Sequence, residues 1–253
     1  MSEADFFKIL LYAWFIIGAP IFIALFFFKA PYGRYSRQGW GPLVGKRAAW
    51  IIMEAPSAIA FAVLFFVGDH HATITSWAFF ILWETHYIYR AFIYPHLLRG
   101  KAKHMPLSII LFSIIFNMIN CYLNGRWLFQ FSGGYSNSWL LDLRFVFGVL
   151  IFLGGLIINR HSDMQLRKLR QPGENAYKLP SGGLFNLVAC PNYFGEIVEW
   201  TGWALATWSL AGLSFAFWTF VNLAPRAYAH LQWYKEQFVE YPDERKALIP
   251  WMW

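Results

Sequence analysis

The stretch ILLYAWFIIGAPIFIALFFF, residues 9–28, contains no charged residue and runs directly into a basic loop. An uncharged apolar run of about 20 residues is typical of a helix that crosses a membrane. It is longer than the hydrophobic region of a cleavable signal peptide, so we expect it to be retained. This stretch predicts an integral membrane protein.

The composition of the whole chain points the same way. Hydrophobic residues make up 58% of the 253 residues and charged residues only 14%, whereas soluble chains carry about 25% charge. The mean hydropathy is +0.38, which leaves too little polar surface for a water-soluble fold. The net charge of +7 is therefore attributed to membrane orientation, and no nucleic-acid partner is expected.

Further apolar runs predict an all-α polytopic fold with seven transmembrane helices. The predicted spans are 6–28, 48–67, 76–98, 105–123, 139–158, 195–211 and 213–234. The last two form a helical hairpin with a short link around Gly212. β-strands are not expected, because the runs are too long and lack the alternation of barrel strands.

Lys and Arg are concentrated in the alternate loops 29–47, 99–104 and 160–178. The N-terminus is therefore predicted outside and the C-terminus in the cytoplasm, in a bacterial inner membrane or an endoplasmic reticulum membrane. The stretch 160–193 is the one long extramembrane segment expected, and the charged stretch 235–246 is expected to be a solvated cytoplasmic face.

Ionisable residues also occur inside the predicted spans, where each costs about 3 kcal/mol near the bilayer centre. Glu54 is the single charge of the second span, and the third span carries Glu84 and a predicted polar face of Tyr87, Arg90 and Tyr94. Three more helices carry polar residues at helical spacing: Asn159, Asp163, Arg167 and Arg170; Asn192, Glu196 and Glu199; and Asn222, Arg226, His230 and Tyr234.

These polar residues have two interpretations. A single Asn, His or Tyr in a span is more often a helix-packing contact, and Arg90 near a helix end is also placed to extend its side chain to the interface. Several Arg with few acidic partners, opening onto one basic loop, favour a polyanionic ligand instead. We therefore expect a phosphate-bearing cofactor that enters from the cytoplasm.

Other chemistries lack their motifs. The sequence has no GxGxxG after a strand and no GxxxxGK[ST], so neither a Rossmann site nor a P-loop is expected. Cys121 and Cys190 have no CxxC or Cys/His spacing, so neither a disulfide nor a metal site is expected.

The second half of the chain contains specific motifs. They are Asn159-x-His161-Ser162-Asp163, LRKLR leading into Pro172-Gly173-Glu174, Gly182-Gly183-Leu184-Phe185, Asn192-x-x-Gly195-Glu196 and the closing RKALIP at 245–250. With Glu54-Ala55-Pro56-Ser57 and His86-Tyr87 upstream, the sequence closely resembles the steroid 5α-reductases over most of the chain except the first helix.

The resemblance implies seven transmembrane helices, NADPH, and reduction of the carbon 4–5 double bond of a 3-oxo-4-ene steroid such as testosterone or progesterone. It implies that Glu54 and Tyr87 are catalytic and hydrogen-bond the 3-oxo group. The residues implied around NADPH are Arg90, Tyr94, Asn159, Asp163, Arg170, Tyr177, Asn192, Glu196, Arg226, His230 and Tyr234. Arg167 joins Arg170 as a candidate for the 2′-phosphate. One departure from the family is Met53, where animal steroid reductases often have Gln.

We expect residues 1–253 to form one membrane domain and the chain to be a monomer. The expected partners are the steroid and membrane lipid. Within this domain, residues 1–142 contribute substrate-site residues and 143–253 mainly bind NADPH. The alternatives are a membrane reductase of an enoyl thioester, polyprenol or sterol, a methyltransferase acting on isoprenylcysteine, and a non-enzymatic transporter. Glu54, Tyr87 and the LRKLR stretch favour the steroid branch.

Overall fold

The computed structural model describes residues 1–99, 104–169 and 177–253, most of which lie in helices. The α-helices are α1 (Glu3–Phe27), α2 (Lys46–Val67), α3 (Ile74–Ile88), α4 (Tyr94–Leu97), α5 (Leu107–Arg126), α6 (Leu143–Lys168), α7 (Pro191–Thr207) and α8 (Leu210–Gln237). Wide π-helical turns follow α3 at Tyr89–Ile93 and α5 at Trp127–Phe131.

Each predicted span coincides with helical structure, the third span being α3 together with its π turn and α4. Within the described residues, four segments are long and apolar enough to cross a membrane: Glu3–Phe27, Lys46–Val67, Leu107–Phe131 and Leu143–Lys168. The mostly helical membrane fold is therefore supported, while the count of seven spans and the orientation stay predictions.

Helix α6 continues to Lys168, in agreement with the helical spacing predicted for Asn159, Asp163 and Arg167. One predicted boundary is wrong, because the link between α7 and α8 is at Trp208 and Ser209 rather than around Gly212. Ser209 Oγ accepts a hydrogen bond from Gly212 N at 2.9 Å, and such a cap satisfies one of the free N–H groups that open a helix.

A short antiparallel ladder pairs β1 (Leu43–Gly45) with β2 (His104–Pro106), although no strand was expected. Three residues per strand are too few to produce a recognisable alternation in the sequence. β1 leads directly into α2 and β2 directly into α5, so the ladder fixes the beginnings of these two helices relative to one another.

The chain divides into two compact units, Met1–Leu11 with Ala30–Val146 and Tyr12–Lys29 with Phe147–Trp253. The first unit has an aromatic core that includes the fully buried Phe61, Phe65 and Trp83. The core of the second unit includes the fully buried Phe152, Trp200 and Trp203.

Candidate functional site

The predicted catalytic pair lies on two packed helices of the first unit. Glu54 is partly buried on α2, and Tyr87 on α3 is buried. The Phe61 and Trp83 rings stack with centroids 4.2 Å apart, and Trp83 lies 5.0 Å from Tyr87. Because α2 and α3 are joined by a short link and run antiparallel, and side chains lean toward the N-terminus of their own helix, this stacking places Glu54 and Tyr87 at similar depth.

Two hydrogen bonds from α5 fix its register against α2. Asn117 Nδ2 donates to the Met53 carbonyl at 2.7 Å, and one turn later Cys121 Sγ donates to the Ser57 carbonyl at 3.4 Å. Helix α2 also contains Pro56, whose ring removes one backbone N–H from the helix. Side chains of α5 thus bind backbone carbonyls on both sides of this proline.

Arg90 and Tyr94, both predicted to bind the cofactor, contact each other in the first unit. The Arg90 guanidinium lies 4.8 Å from the centre of the Tyr94 ring and 4.9 Å from that of Trp50. The π turn at Tyr89–Ile93 is wider than an α-turn, so the single α-helical face predicted for Tyr87, Arg90 and Tyr94 is rotated between its first and last members.

In the second unit, glycines allow α6 and α7 to approach closely. Gly155 on α6 lies against Gly195 on α7, and Gly148 lies against Gly202, each pair being seven residues along from the other. A methyl group on any of these glycines would collide with the backbone of the opposite helix. This close packing brings the polar residues at the ends of the two helices together.

Four predicted cofactor residues form one hydrogen-bonded chain there. Asn159 Nδ2 donates to the Asn192 carbonyl at 3.0 Å and to Glu196 Oε2 at 3.2 Å. Asn192 Nδ2 donates to Asp163 Oδ1 at 3.1 Å. Asn159 and Asp163 are both buried. The amides are therefore held in fixed orientations by the two carboxyl groups.

Arg226 and His230 on α8 converge on a residue that the sequence analysis missed. Arg226 Nε donates to the Tyr193 hydroxyl at 3.2 Å, and His230 Nε2 lies 3.3 Å from the same oxygen. The Tyr193 and His230 rings also stack at 5.8 Å. The sequence indicates Tyr193 only by its position inside the motif Asn192-x-x-Gly195-Glu196, in which any residue type is allowed at position 193.

Two further predicted cofactor residues, Tyr234 and Tyr177, pack against aromatic rings. Tyr234 is buried and stacks on Tyr241 with centroids 5.7 Å apart, and Tyr177 packs edge-on against Trp233 at 4.9 Å. Arg167 lies in the last turn of α6. Arg170 lies outside the described residues.

Comparison with known proteins decides the family. The family model for 3-oxo-5-alpha-steroid 4-dehydrogenase matches residues 103–253. The chain is 41% identical to a steroid 5-alpha-reductase of Gossypium hirsutum, covering 100% of this chain and 99% of that protein. It is 42% identical to 3-oxo-5-alpha-steroid 4-dehydrogenase 1 of Bos taurus, covering 93% of each, and 41% identical to the protein of that name in Homo sapiens, covering 93% of this chain and 91% of the human one.

The chain belongs to the 3-oxo-5-alpha-steroid 4-dehydrogenase family. It is an enzyme of the oxidoreductase class that acts on CH–CH groups. The resemblance inferred from the motifs is thus confirmed.

Family membership makes the departure at Met53 informative. Met53 is buried and packs against Ala49, Met105 and Ile110, and its backbone carbonyl receives the Asn117 bond. An apolar side chain suits this cluster, because a buried amide without partners would cost free energy. Met53 is accommodated by packing between α2 and α5.

The end of this family member corrects one expectation. The stretch 235–246 is not uniformly solvated, because Tyr241 and Arg245 are buried. Arg245 Nη1 donates to the Pro180 carbonyl at 2.8 Å, and its guanidinium lies 5.5 Å from the Tyr241 ring centre. Lys246 pairs through its backbone with residues 187–189. The charged stretch therefore holds the loop before α7 in place through the Arg245 side chain and the Lys246 backbone.

The donor set of the second unit fits a dinucleotide. Carboxyl and amide groups such as those of Asp163 and Asn159 suit ribose hydroxyls and a carboxamide, and Arg226 supplies charge for phosphate. In the described part of the chain, no group of three His, Cys, Asp or Glu is arranged to hold a metal ion.

Proposed function

We propose that this enzyme uses NADPH to reduce the carbon 4–5 double bond of a 3-oxo-4-ene steroid to the 5α-reduced 3-oxo steroid. The observation that carries the proposal is the Phe61–Trp83 ring stacking, which packs the helix of Glu54 against the helix of Tyr87 in a chain that belongs to this family. Testosterone and progesterone represent the substrate class.

The chemistry at the carbonyl explains why such a pair is needed. Conjugation with the 3-oxo group makes carbon 5 electrophilic, and negative charge builds on the oxygen as the enone becomes an enolate. Tyr87 donates its phenolic O–H to that oxygen, and Glu54 donates as a neutral carboxylic acid, as a tyrosine and a protonated acid do in ketosteroid isomerase. Such donors stabilise the transition state more than the ground state.

When bound, NADPH would supply a hydride to carbon 5, and carbon 4 would receive a proton. In the second unit, the residues that would hold the dinucleotide are Asn159, Asp163, Asn192, Glu196, Arg226, His230, Tyr234 and Tyr177. Arg167 and Arg170 would read the 2′-phosphate, because a guanidinium binds phosphate oxygens in a bidentate manner. The hydrogen bonds among Asp163, Asn192, Asn159 and Glu196 keep these groups oriented before the cofactor binds.

The same proposal places seven spans in the membrane, with the N-terminus outside and the C-terminus in the cytoplasm, where NADPH is available. The steroid reaches the enzyme from the lipid, because it is flat and apolar. The enzyme acts as a monomer in a bacterial inner membrane or an endoplasmic reticulum membrane.

The test uses the purified chain in detergent micelles with NADPH and either testosterone or progesterone. We expect loss of NADPH absorbance and formation of the 5α-reduced steroid, identified by chromatography against authentic standards. Replacing NADPH by NADH should slow the reaction strongly. Reduction of an enoyl thioester, polyprenol or sterol, with no reduction of either steroid, would contradict the proposal.

A further inference from the structure

Three buried side chains of the first unit each keep a polar atom without a hydrogen-bond partner among the described residues. They are Ser57 Oγ on α2, Glu84 Oε1 on α3 and Asn120 Oδ1 on α5. Ser57 and Asn120 are 0% exposed and Glu84 is 9% exposed. None of them belongs to the catalytic pair or to the predicted cofactor residues.

The three residues lie at nearly the same depth. Cys121 Sγ binds the Ser57 carbonyl, which brings the preceding residue of α5, Asn120, to the level of Ser57. The stacked rings of Phe61 and Trp83 lie one turn past Ser57 and one residue before Glu84. Three different helices therefore contribute to one polar layer.

This layer is adjacent to the catalytic pair. Ser57 follows Glu54 by three residues on α2, and Glu84 precedes Tyr87 by three residues on α3. Because the helices are antiparallel, both steps lead in the same direction, and three residues correspond to a rise of about 4.5 Å. The polar layer is thus about one helical turn from the groups that hold the 3-oxo oxygen.

Helix packing does not account for these atoms. Polar residues that hold helices together do so through hydrogen bonds between helices, as Asn117 does with the Met53 carbonyl. Asn120 Nδ2 instead donates within its own helix, to the Phe116 carbonyl at 2.8 Å, which leaves Oδ1 as an acceptor. A buried polar atom left unsatisfied is unfavourable and is uncommon in native proteins.

We propose that Ser57, Glu84 and Asn120 form a subsite for a hydroxyl group of the steroid, on ring A, B or C. The inference rests on the proposed function and names its substrate class more closely. A hydroxyl fits because it both donates and accepts: it donates to Asn120 Oδ1 or to the Glu84 carboxylate and accepts from the Ser57 hydroxyl, or from the Glu84 carboxyl when that group is protonated. A ketone, which only accepts, would leave Asn120 Oδ1 unsatisfied.

The experiment compares kcat/KM for testosterone with that for its 6β-, 11β- and 19-hydroxy derivatives, using the full chain in detergent and NADPH. We expect at least one hydroxylated steroid to be preferred by about tenfold, the effect of one or two well-made hydrogen bonds. Equal or lower kcat/KM for all three derivatives, with testosterone reduced normally, would overturn the inference alone. Failure to reduce any steroid, testosterone included, would overturn the proposed function and the inference with it.

Variants assign the preference to the polar layer. Glu84→Leu and Ser57→Ala should each bring the ratio of kcat/KM for the preferred hydroxylated steroid to kcat/KM for testosterone close to one. Glu84→Gln, whose amide still donates and accepts, should retain part of the preference for the hydroxylated steroid. Ile81→Leu, at an exposed position one turn earlier on α3, is the matched control and should leave the ratio unchanged. A preference that survives both Glu84→Leu and Ser57→Ala would overturn the inference.

Discussion

The two units treat buried polar side chains in different ways. In the second unit, Asn159 and Asn192 are bound to carboxyl groups and to backbone across a glycine-lined helix pair. In the first unit, the polar layer of Ser57, Glu84 and Asn120 keeps atoms without hydrogen-bond partners among the described residues. The hydrogen bonds of the second unit hold the amides of Asn159 and Asn192 in fixed orientations, whereas the polar layer of the first unit leaves donor and acceptor atoms for the proposed steroid hydroxyl.

The largest expected effect concerns the chemistry of the first unit. Glu54→Ala and Tyr87→Phe should each lower turnover of a 3-oxo-4-ene steroid about a hundredfold, because each removes a donor to the developing oxyanion. NADPH affinity should stay near that of the wild type. Steady-state rates and a cofactor titration on the same preparations measure the two effects, and wild-type turnover in either variant would remove that residue from the mechanism.

The packing of the second unit can be broken directly. Gly155→Ala places a methyl group against the backbone of Glu199, and we expect it to lower the free energy of unfolding by about 1–3 kcal/mol and to weaken NADPH binding. Gly154→Ala is the control, because a methyl group there meets open space. Thermal unfolding in detergent, followed by Trp fluorescence, compares the two. Equal melting temperatures would show that α6 and α7 do not depend on this contact.

A smaller effect is expected at Tyr193. Tyr193→Phe removes the oxygen that receives the Arg226 Nε–H, and a hydrogen bond to a charged group contributes about 1.5–3 kcal/mol. NADPH binding should weaken about tenfold, while kcat at saturating NADPH changes little. Tyr228→Phe, at an exposed position of α8, serves as the control. Unchanged NADPH affinity in Tyr193→Phe would show that the contacts of the Tyr193 hydroxyl with Arg226 and His230 do not contribute to cofactor binding.

The smallest effect is a pH dependence of stability. Burial raises the pKa of Tyr241 to about 12, above the usual value near 10 of an unfolded chain. Its contribution to stability is therefore fully present below about pH 10 and is lost as the pH rises toward 12. Tyr241→Phe should lose less stability than the wild type over that range in thermal unfolding experiments. Parallel losses in both proteins would show that Tyr241 is hydrated.

Much of the helical architecture was predictable from the sequence, because a long uncharged apolar run such as 9–28 rarely forms anything other than a membrane helix. The shared face of Asn159 and Asp163 on one helix, and that of Asn192 and Glu196 on the next, were also predictable, since helical spacing gathers polar residues on one face. The β1–β2 ladder was not, because pairing across some sixty residues leaves no local pattern in three-residue strands.

The burial of Arg245 and the contacts of Tyr193 were also not predictable from local sequence. Arg245 lies in a sequence of alternating charges, which is usually solvated, yet the Pro180 carbonyl and the Tyr241 ring bury it. Tyr193 was missed because an aromatic residue in an apolar helix usually makes only packing contacts. In both cases the deciding partner lies far away in sequence, where periodicity carries no information.

The π turn at Tyr89–Ile93 has a consequence for how this enzyme can vary. Such a turn accommodates one residue more than an α-turn, so deleting a single residue within it would restore a regular helix without breaking the chain path. Because the wide turn absorbs the extra residue, the chain beyond the deletion would keep nearly the same face, whereas Arg90, which lies inside the turn, would change its position relative to Trp50 and Tyr94. Length changes of one residue at this point should therefore alter function while sparing the fold.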